Sequence, residues 1–135
     1  MSQEKITLSL GENSYDILLE SGCLDRAGEL LNLNRKVLVV TDSGVPAEYA
    51  DTVAFSALAA EIVRIPRGEA SKNFDHFHLL LRRMLEFGMG RGDCVAAVGG
   101  GVVGDLAGFA AACYMRGIQL VCPSDRNTTV FHRLR

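Results

Sequence analysis

The sequence has no run of lysines or arginines, no C-x-x-C pair and no uninterrupted apolar segment of membrane-spanning length, and each absence removes a class of function. Fourteen basic residues against sixteen acidic ones leave a formal charge of −2 and a pI of about 5.9. That balance gives no electrostatic footprint for a nucleic-acid backbone or an anionic lipid surface. The four cysteines, Cys23, Cys94, Cys113 and Cys122, lack the spacing of a zinc site and read as reduced, mostly buried thiols. The longest apolar stretch, Cys94 to Met115, contains five glycines and carries Asp105 near its middle, which costs ~3 kcal/mol on membrane-insertion scales. A buried strand followed by a helix explains it better. The first sixteen residues hold no apolar core of signal-peptide length and include Glu4 and Glu12, so a cytoplasmic location is expected. No internal repeat, Pro/Ser-rich linker or low-complexity block divides the chain.

What is present is enough apolar material for one domain: 135 residues, 48% hydrophobic and 22% charged. Ile6, Leu8 and Leu10, then Tyr15, Ile17 and Leu19, alternate at period two around a turn at Gly11 to Ser14, which predicts an N-terminal β-hairpin. Leu24, Ala27, Leu30 and Leu31 follow at helical spacing behind Ser21. From Lys36 onward, continuous β-branched runs alternate with helical stretches. Strands are expected at 36–41, 61–65, 94–98 and 118–122, and helices at 46–60, 74–88 and 103–114. Such βαβα order predicts a doubly wound, mostly parallel α/β sheet of Rossmann-like type. The closing stretch, 122–135, has neither period and is expected to be loosely ordered.

The strongest local signal is GGGVVGD at Gly99 to Asp105, between an apolar strand and a small-residue helix. Gly99, Gly101 and Gly104 satisfy G-x-G-x-x-G in the context the fingerprint requires. Missing Cβ atoms let backbone approach a pyrophosphate, and the free N–H groups of the next helix bind the anion. The same glycines also fit a turn that only lets Ala107, Ala110 and Ala111 pack close to the sheet, and Asp105 also reads as a helix-dipole charge in a first turn. For a ribose, Asp125 has the usual offset from the loop but falls in the irregular tail. Asp42, ending the first parallel strand, is the better candidate, with turn capping as its plainer alternative. Gly68, Glu69 and Lys72 after the second parallel strand, and Arg116 after the Gly-loop helix, are further strand-end polar residues whose default reading is solvated charge. His76 and His78 point about 200° apart on a helix and do not suit one metal, and His132 stands alone.

Together, VTD at Val40 to Asp42, GEASK at Gly68 to Lys72 and GGGVVGDLAGFAAACYMRG at Gly99 to Gly117 resemble the N-terminal, NAD-binding domain of 3-dehydroquinate synthase, over about residues 4 to 121. The resemblance implies an enzyme of the shikimate pathway and of aromatic amino acid biosynthesis. It uses bound NAD to convert a seven-carbon keto-acid phosphate to 3-dehydroquinate by transient oxidation, phosphate elimination, re-reduction and ring closure. It places Asp42, Ser43 and Gly44 at the adenosine end, Glu69 and Lys72 also on NAD, and Gly100, Gly101, Val102 and Asp105 along the pyrophosphate and nicotinamide side. Arg116 matches an arginine that reaches substrate phosphate across a homodimer interface. Many members have asparagine where this chain has Gly44.

The resemblance stops after Val121. There the family continues through V-P-T-T toward a mostly helical second domain that holds a divalent metal, zinc or cobalt, while this chain reads CPSDRNTTV. Thr128 and Thr129 are out of register with the family threonines. The implied organisation is an NAD domain at 1–121, a divergent tail at 122–135 and no metal-binding domain. An inactive N-terminal fragment is therefore expected. The other readings are a non-catalytic NAD-binding or dimerising remnant, and a piece of a related sugar-phosphate cyclase or metal-dependent polyol dehydrogenase.

Overall fold

A computed structural model describes residues 3–8, 15–20, 33–121 and 129–134, with side chains over 33–121. Seven strands form one sheet: β1 (Gln3–Leu8), β2 (Tyr15–Glu20), β3 (Lys36–Asp42), β4 (Ala59–Ile65), β5 (Cys94–Val98), β6 (Gln119–Val121) and β7 (Thr129–Leu134), in the spatial order β1-β2-β7-β6-β5-β3-β4. The strands β6, β5, β3 and β4 are mutually parallel. The other pairings, β1 with β2, β2 with β7 and β7 with β6, are antiparallel.

The expected hairpin and parallel strands are present. The tail differs from expectation, because 129–134 is a strand rather than loose chain. Its sequence, TVFHRL, has no alternation to signal this; the strand exists through backbone pairing with β2 on one side and β6 on the other. The expected helix behind Ser21, the turn at Gly11 to Ser14, Cys23, Cys122 and Asp125 lie outside the described residues.

Three helices connect the parallel strands: α1 (Ala47–Phe55), α2 (Phe74–Glu86) and α3 (Gly101–Cys113). Every residue of β5 is buried, as a central strand covered on both faces must be. Leu38, Val40, Val95, Ala97 and Leu120 point to the face covered by α2 and α3, where they meet Leu80, Met84, Leu106 and Ala110. Val37, Val39, Cys94, Ala96 and Val98 point to the opposite face and meet Ala50 and Val53 of α1. This is the doubly wound arrangement.

Helix boundaries follow local chemistry. Asn73 caps α2 by accepting the His76 N–H at 2.9 Å. At the other end, Met89 N–H reaches Met84 O at 3.1 Å and Gly88 N–H reaches Leu85 O at 3.0 Å. Gly88 supplies the left-handed φ of 72° that this Schellman closure needs. The Lys36 ammonium adds bonds to Phe87 O (3.1 Å) and Gly88 O (3.2 Å), placing a cation at the negative end of the helix. Helix α1 stops at Phe55, well before the expected residue 60, because Ala59 and Ala60 pair with Lys36 and Val37 as the start of β4.

Candidate functional site

The chain leaves β3 toward β4 on one side, then returns across β3 to form β5 on the other. The change of direction lies between β3 and β5, whose last paired residues are Thr41 and Val98. In open α/β sheets the crevice outside the carboxyl ends of strands at such a switch point is where ligands bind. The turns that flank it are Asp42–Ser43–Gly44 and Gly99–Gly100–Gly101, two of the clusters singled out in the sequence.

The turn after β3 is held by its own polar groups. Gly44 N–H donates to Asp42 Oδ1 at 2.8 Å, so the turn-capping role of Asp42 is realised. Ser43 N–H donates to Ile65 O at 2.9 Å and Arg67 N–H donates to Ser43 Oγ at 3.0 Å. These bonds tie the ends of β3 and β4 together. Asp42 is half-buried, Ser43 and Gly44 are exposed, and the Thr41 hydroxyl just before them is buried with no hydrogen-bond partner.

The glycines after β5 have separate jobs. A Cβ on Gly99 would lie 2.9 Å from Val103 Cγ2, so this position is glycine because the first turn of α3 folds back over it. A Cβ on Gly100, Gly101 or Gly104 would meet nothing within 4 Å. Close packing inside the chain therefore does not require those three glycines; they face open space at the crevice. Helix α3 starts at Gly101, two residues before the sequence expectation, because Gly100 in an extended conformation lets the helix begin at once. The backbone N–H groups of the first turn thus point at the crevice, as an anion site requires. The earlier start also moves Asp105 to the fifth helical position, so the first-turn dipole reading of that residue does not hold.

Asp105 instead pairs with Lys72. Lys72 Nζ lies 2.9 Å from Asp105 Oδ2, with side chains 47% and 61% exposed. The Asp105 hydrogen bond and charge, with the charge of Glu69, hold the Lys72 ammonium above its ordinary pKa. The contact joins the loop after β4 to α3. That loop is internally wired: Ser71 Oγ donates to Pro66 O, Asn73 Nδ2 donates to Ala70 O at 2.9 Å, and His76 Nδ1 donates to Ser71 O at 2.9 Å. Gly68 takes a φ of 106° that a side chain would disfavour. Glu69 and Lys72 remain exposed.

Arg116 lies elsewhere. Helix α3 runs 13 residues away from the crevice before reaching it, which is ~20 Å at 1.5 Å per residue. Met115 and Arg116 both adopt left-handed conformations, with φ of 48° and 69°, and both are exposed. Tyr114 fixes this corner from inside, its hydroxyl donating to Met89 O at 2.7 Å. One chain therefore brings Asp42, Ser43, Gly44, Glu69, Lys72, Gly100, Gly101, Val102 and Asp105 to the carboxyl end of the parallel strands, and leaves Arg116 at their amino end, ahead of β6. Arg67 was missed by sequence reasoning; its only signal was a cation two residues after the end of β4. Among the described residues no group of three or more His, Cys, Asp or Glu converges, so the residues present do not fit a metal, and no helix is long and apolar enough to cross a membrane.

A profile described as 3-dehydroquinate synthase N-terminal matches residues 62–131. The 3-dehydroquinate synthase of Caulobacter vibrioides (strain NA1000 / CB15N) is 41% identical over 86% of this chain and 34% of its own length. That of Streptococcus sanguinis (strain SK36) is 40% identical over 87% of this chain and 35% of its own. Among solved structures, a 2-deoxy-scyllo-inosose synthase superposes with a TM-score of 0.76 at 26% identity, covering 90% of this chain and 36% of that one. A 2-epi-5-epi-valiolone synthase from Streptomyces hygroscopicus subsp. jinggangensis 5008, solved with NAD+ and Zn2+ bound, gives 0.64 at 26% identity over 76% and 30%. The chain spans about a third of the length of the curated relatives it matches.

Proposed function

Because the chain belongs to the 3-dehydroquinate synthase family, matching its N-terminal part, we propose that it is the NAD-binding portion of a cytoplasmic cyclase of the shikimate pathway. The observation that carries this reading is the trio Gly100, Gly101 and Gly104 facing open space at the switch point, above the N-terminus of α3.

The first-turn N–H groups of α3, from Gly101 through Val103, take the pyrophosphate, with Gly100 and Val102 alongside. Asp42, Ser43 and Gly44 take the adenosine end, with Asp42 as the ribose acceptor. Lys72, Glu69 and Asp105 line the nicotinamide side, the Lys72–Asp105 pair bracing the loop after β4 against α3. When bound, NAD supplies a reversible hydride acceptor for the substrate's hydroxyl-bearing carbon. The substrate class is a seven-carbon keto-acid phosphate, and the reaction is a phosphate-eliminating lyase cyclisation. Arg116, at the far end of α3, serves a neighbouring copy's substrate phosphate in a homodimer. No step is assigned to a metal, which the described residues have no group to hold.

Calorimetric titration of NAD into the 135-residue chain tests the reading. Saturable binding is expected, weakened in Asp105→Asn, which removes the carboxylate charge that holds Lys72, in the loop after β4, against α3. No phosphate is expected to be released from the keto-acid phosphate by this chain alone. A flat titration of the folded chain refutes the reading, and so does an Asp105→Asn variant that binds as well as the parent.

A further inference from the structure

Against the Asp42–Gly44 turn lies a cation from the loop after β4 that neither the sequence pattern nor the relatives' names assign. The side-chain position of residue 44 is empty because residue 44 is glycine, and another residue fills it. A Cβ built on Gly44 would lie 3.0 Å from Arg67 Cδ and 3.5 Å from Arg67 Cβ, with Asp42 Oδ1 3.2 Å from the same point. The aliphatic stem of Arg67 therefore runs across Gly44, and its guanidinium begins one bond beyond the atom that touches residue 44. The backbone at Arg67 is fixed by its N–H bond to Ser43 Oγ, so the stem departs from an anchored point. Ion pairs among the described residues join Lys72 to Asp105 and Arg83 to Glu61; Arg67 has no carboxylate partner there, and it is exposed.

We propose that Arg67 is a specificity-determining residue for the adenosine ribose of the bound dinucleotide, and that its cation makes this site accept a 2′-phosphate beside Asp42. The inference rests on the nucleotide reading above. Asp42 alone favours a free 2′-hydroxyl, because a carboxylate accepts from it and repels a phosphate. An arginine beside the ribose reverses that preference, its planar fork matching a phosphate in two bonds. Here both stand at one turn, and Asp42 Oδ1 already accepts from the Gly44 N–H. A site with both groups discriminates weakly between NAD and NADP. Glycine at 44 leaves the Arg67 stem this path, and a side chain there would push the stem aside.

The test titrates NAD and NADP separately into the 135-residue chain and its Arg67→Ala, Arg67→Lys and Gly44→Ala variants, with circular dichroism verifying that each is folded. In the parent the two dissociation constants are expected within tenfold of each other. Arg67→Ala widens the ratio at least tenfold by weakening NADP, while NAD changes less than threefold; Arg67→Lys falls between. Gly44→Ala shifts the ratio in the same direction and does so much less in the Arg67→Ala background, because the residue it displaces is gone. A ratio unchanged in Arg67→Ala, with NAD still bound, overturns the role of Arg67 and leaves the nucleotide reading standing. A folded parent that binds neither nucleotide overturns both.

Discussion

Gly99 and Gly101 sit two residues apart in one loop, yet alanine is expected to act oppositely at the two positions. At Gly99 the new methyl would approach Val103 Cγ2 to 2.9 Å and Val103 Cβ to 3.1 Å. Val103 is fully buried and lies on α3. As a β-branched residue it has essentially one helical rotamer, so it cannot turn aside. Relief must come from a shift of the helix or the strand end, an overpacking cost of ~1–3 kcal/mol. At Gly101 the methyl meets nothing within 4 Å and the backbone is compatible with alanine. There the loss of unfolded-state freedom gives a gain of ~0.4–1 kcal/mol. In urea, with slopes of ~1–3 kcal/mol per molar, Gly99→Ala lowers the midpoint by roughly 1 M and Gly101→Ala leaves it level or slightly raised. In NAD titration the order reverses, because the Gly101 methyl occupies the space assigned to the pyrophosphate; Gly101→Ala binds worst among the folded variants. Equal destabilisation by the two substitutions would refute the division of labour among these glycines. So would a Gly101→Ala chain that binds NAD like the parent.

Two further outcomes are expected. Burial pushes the Cys94 thiol up from 9.0 to about 11, so between those pH values the unfolded chain loses a proton that the native state keeps. Stability from this group is whole below pH 9 and falls as pH rises toward 11, by on the order of 2–3 kcal/mol. Urea midpoints measured from pH 8 to 11 will decline less steeply in Cys94→Ala, and parallel declines would remove the assignment. Lys36→Met deletes both ammonium bonds at the end of α2 and is expected to cost about 1 kcal/mol; an unchanged midpoint in urea would show that water replaces the cap.

The parallel half of the fold was legible because its strands are buried on both faces. β3 and β5 read as unbroken apolar runs, and the switch to helical spacing marks α2 and α3. The end of α1 was not legible: Ala57 to Ala60 suit a helix by propensity, and only pairing with Lys36 and Val37 makes the last two a strand. β7 was invisible for a related reason, since its two neighbours specify it through backbone bonds. At the site, each of Lys72 and Asp105 was singled out, but their pairing across 33 residues of chain depends on α2 and α3 lying side by side on one face. Arg67 was missed because its significance comes from an absence, the bare Cα of Gly44 in a different loop. Two loops had to be superposed in space before either residue explained the other.

The placement of β7 has a bearing on how the chain acquires its structure. The N-terminal hairpin β1–β2 joins the parallel strands in the sheet through β7, which pairs with β2 and β6 at once. A strand encoded near residue 130 thus bridges segments made near residues 15 and 120. During synthesis the parallel strands can assemble as they emerge, whereas the hairpin has no hydrogen-bonded route into the sheet until Thr129–Leu134 has been made. Pairing across more than a hundred residues carries a large loop-closure cost and belongs to the late, slow part of folding. Until that step the outer edges of β2 and β6 are unsatisfied, and it is there that association with other chains competes with completion of the sheet.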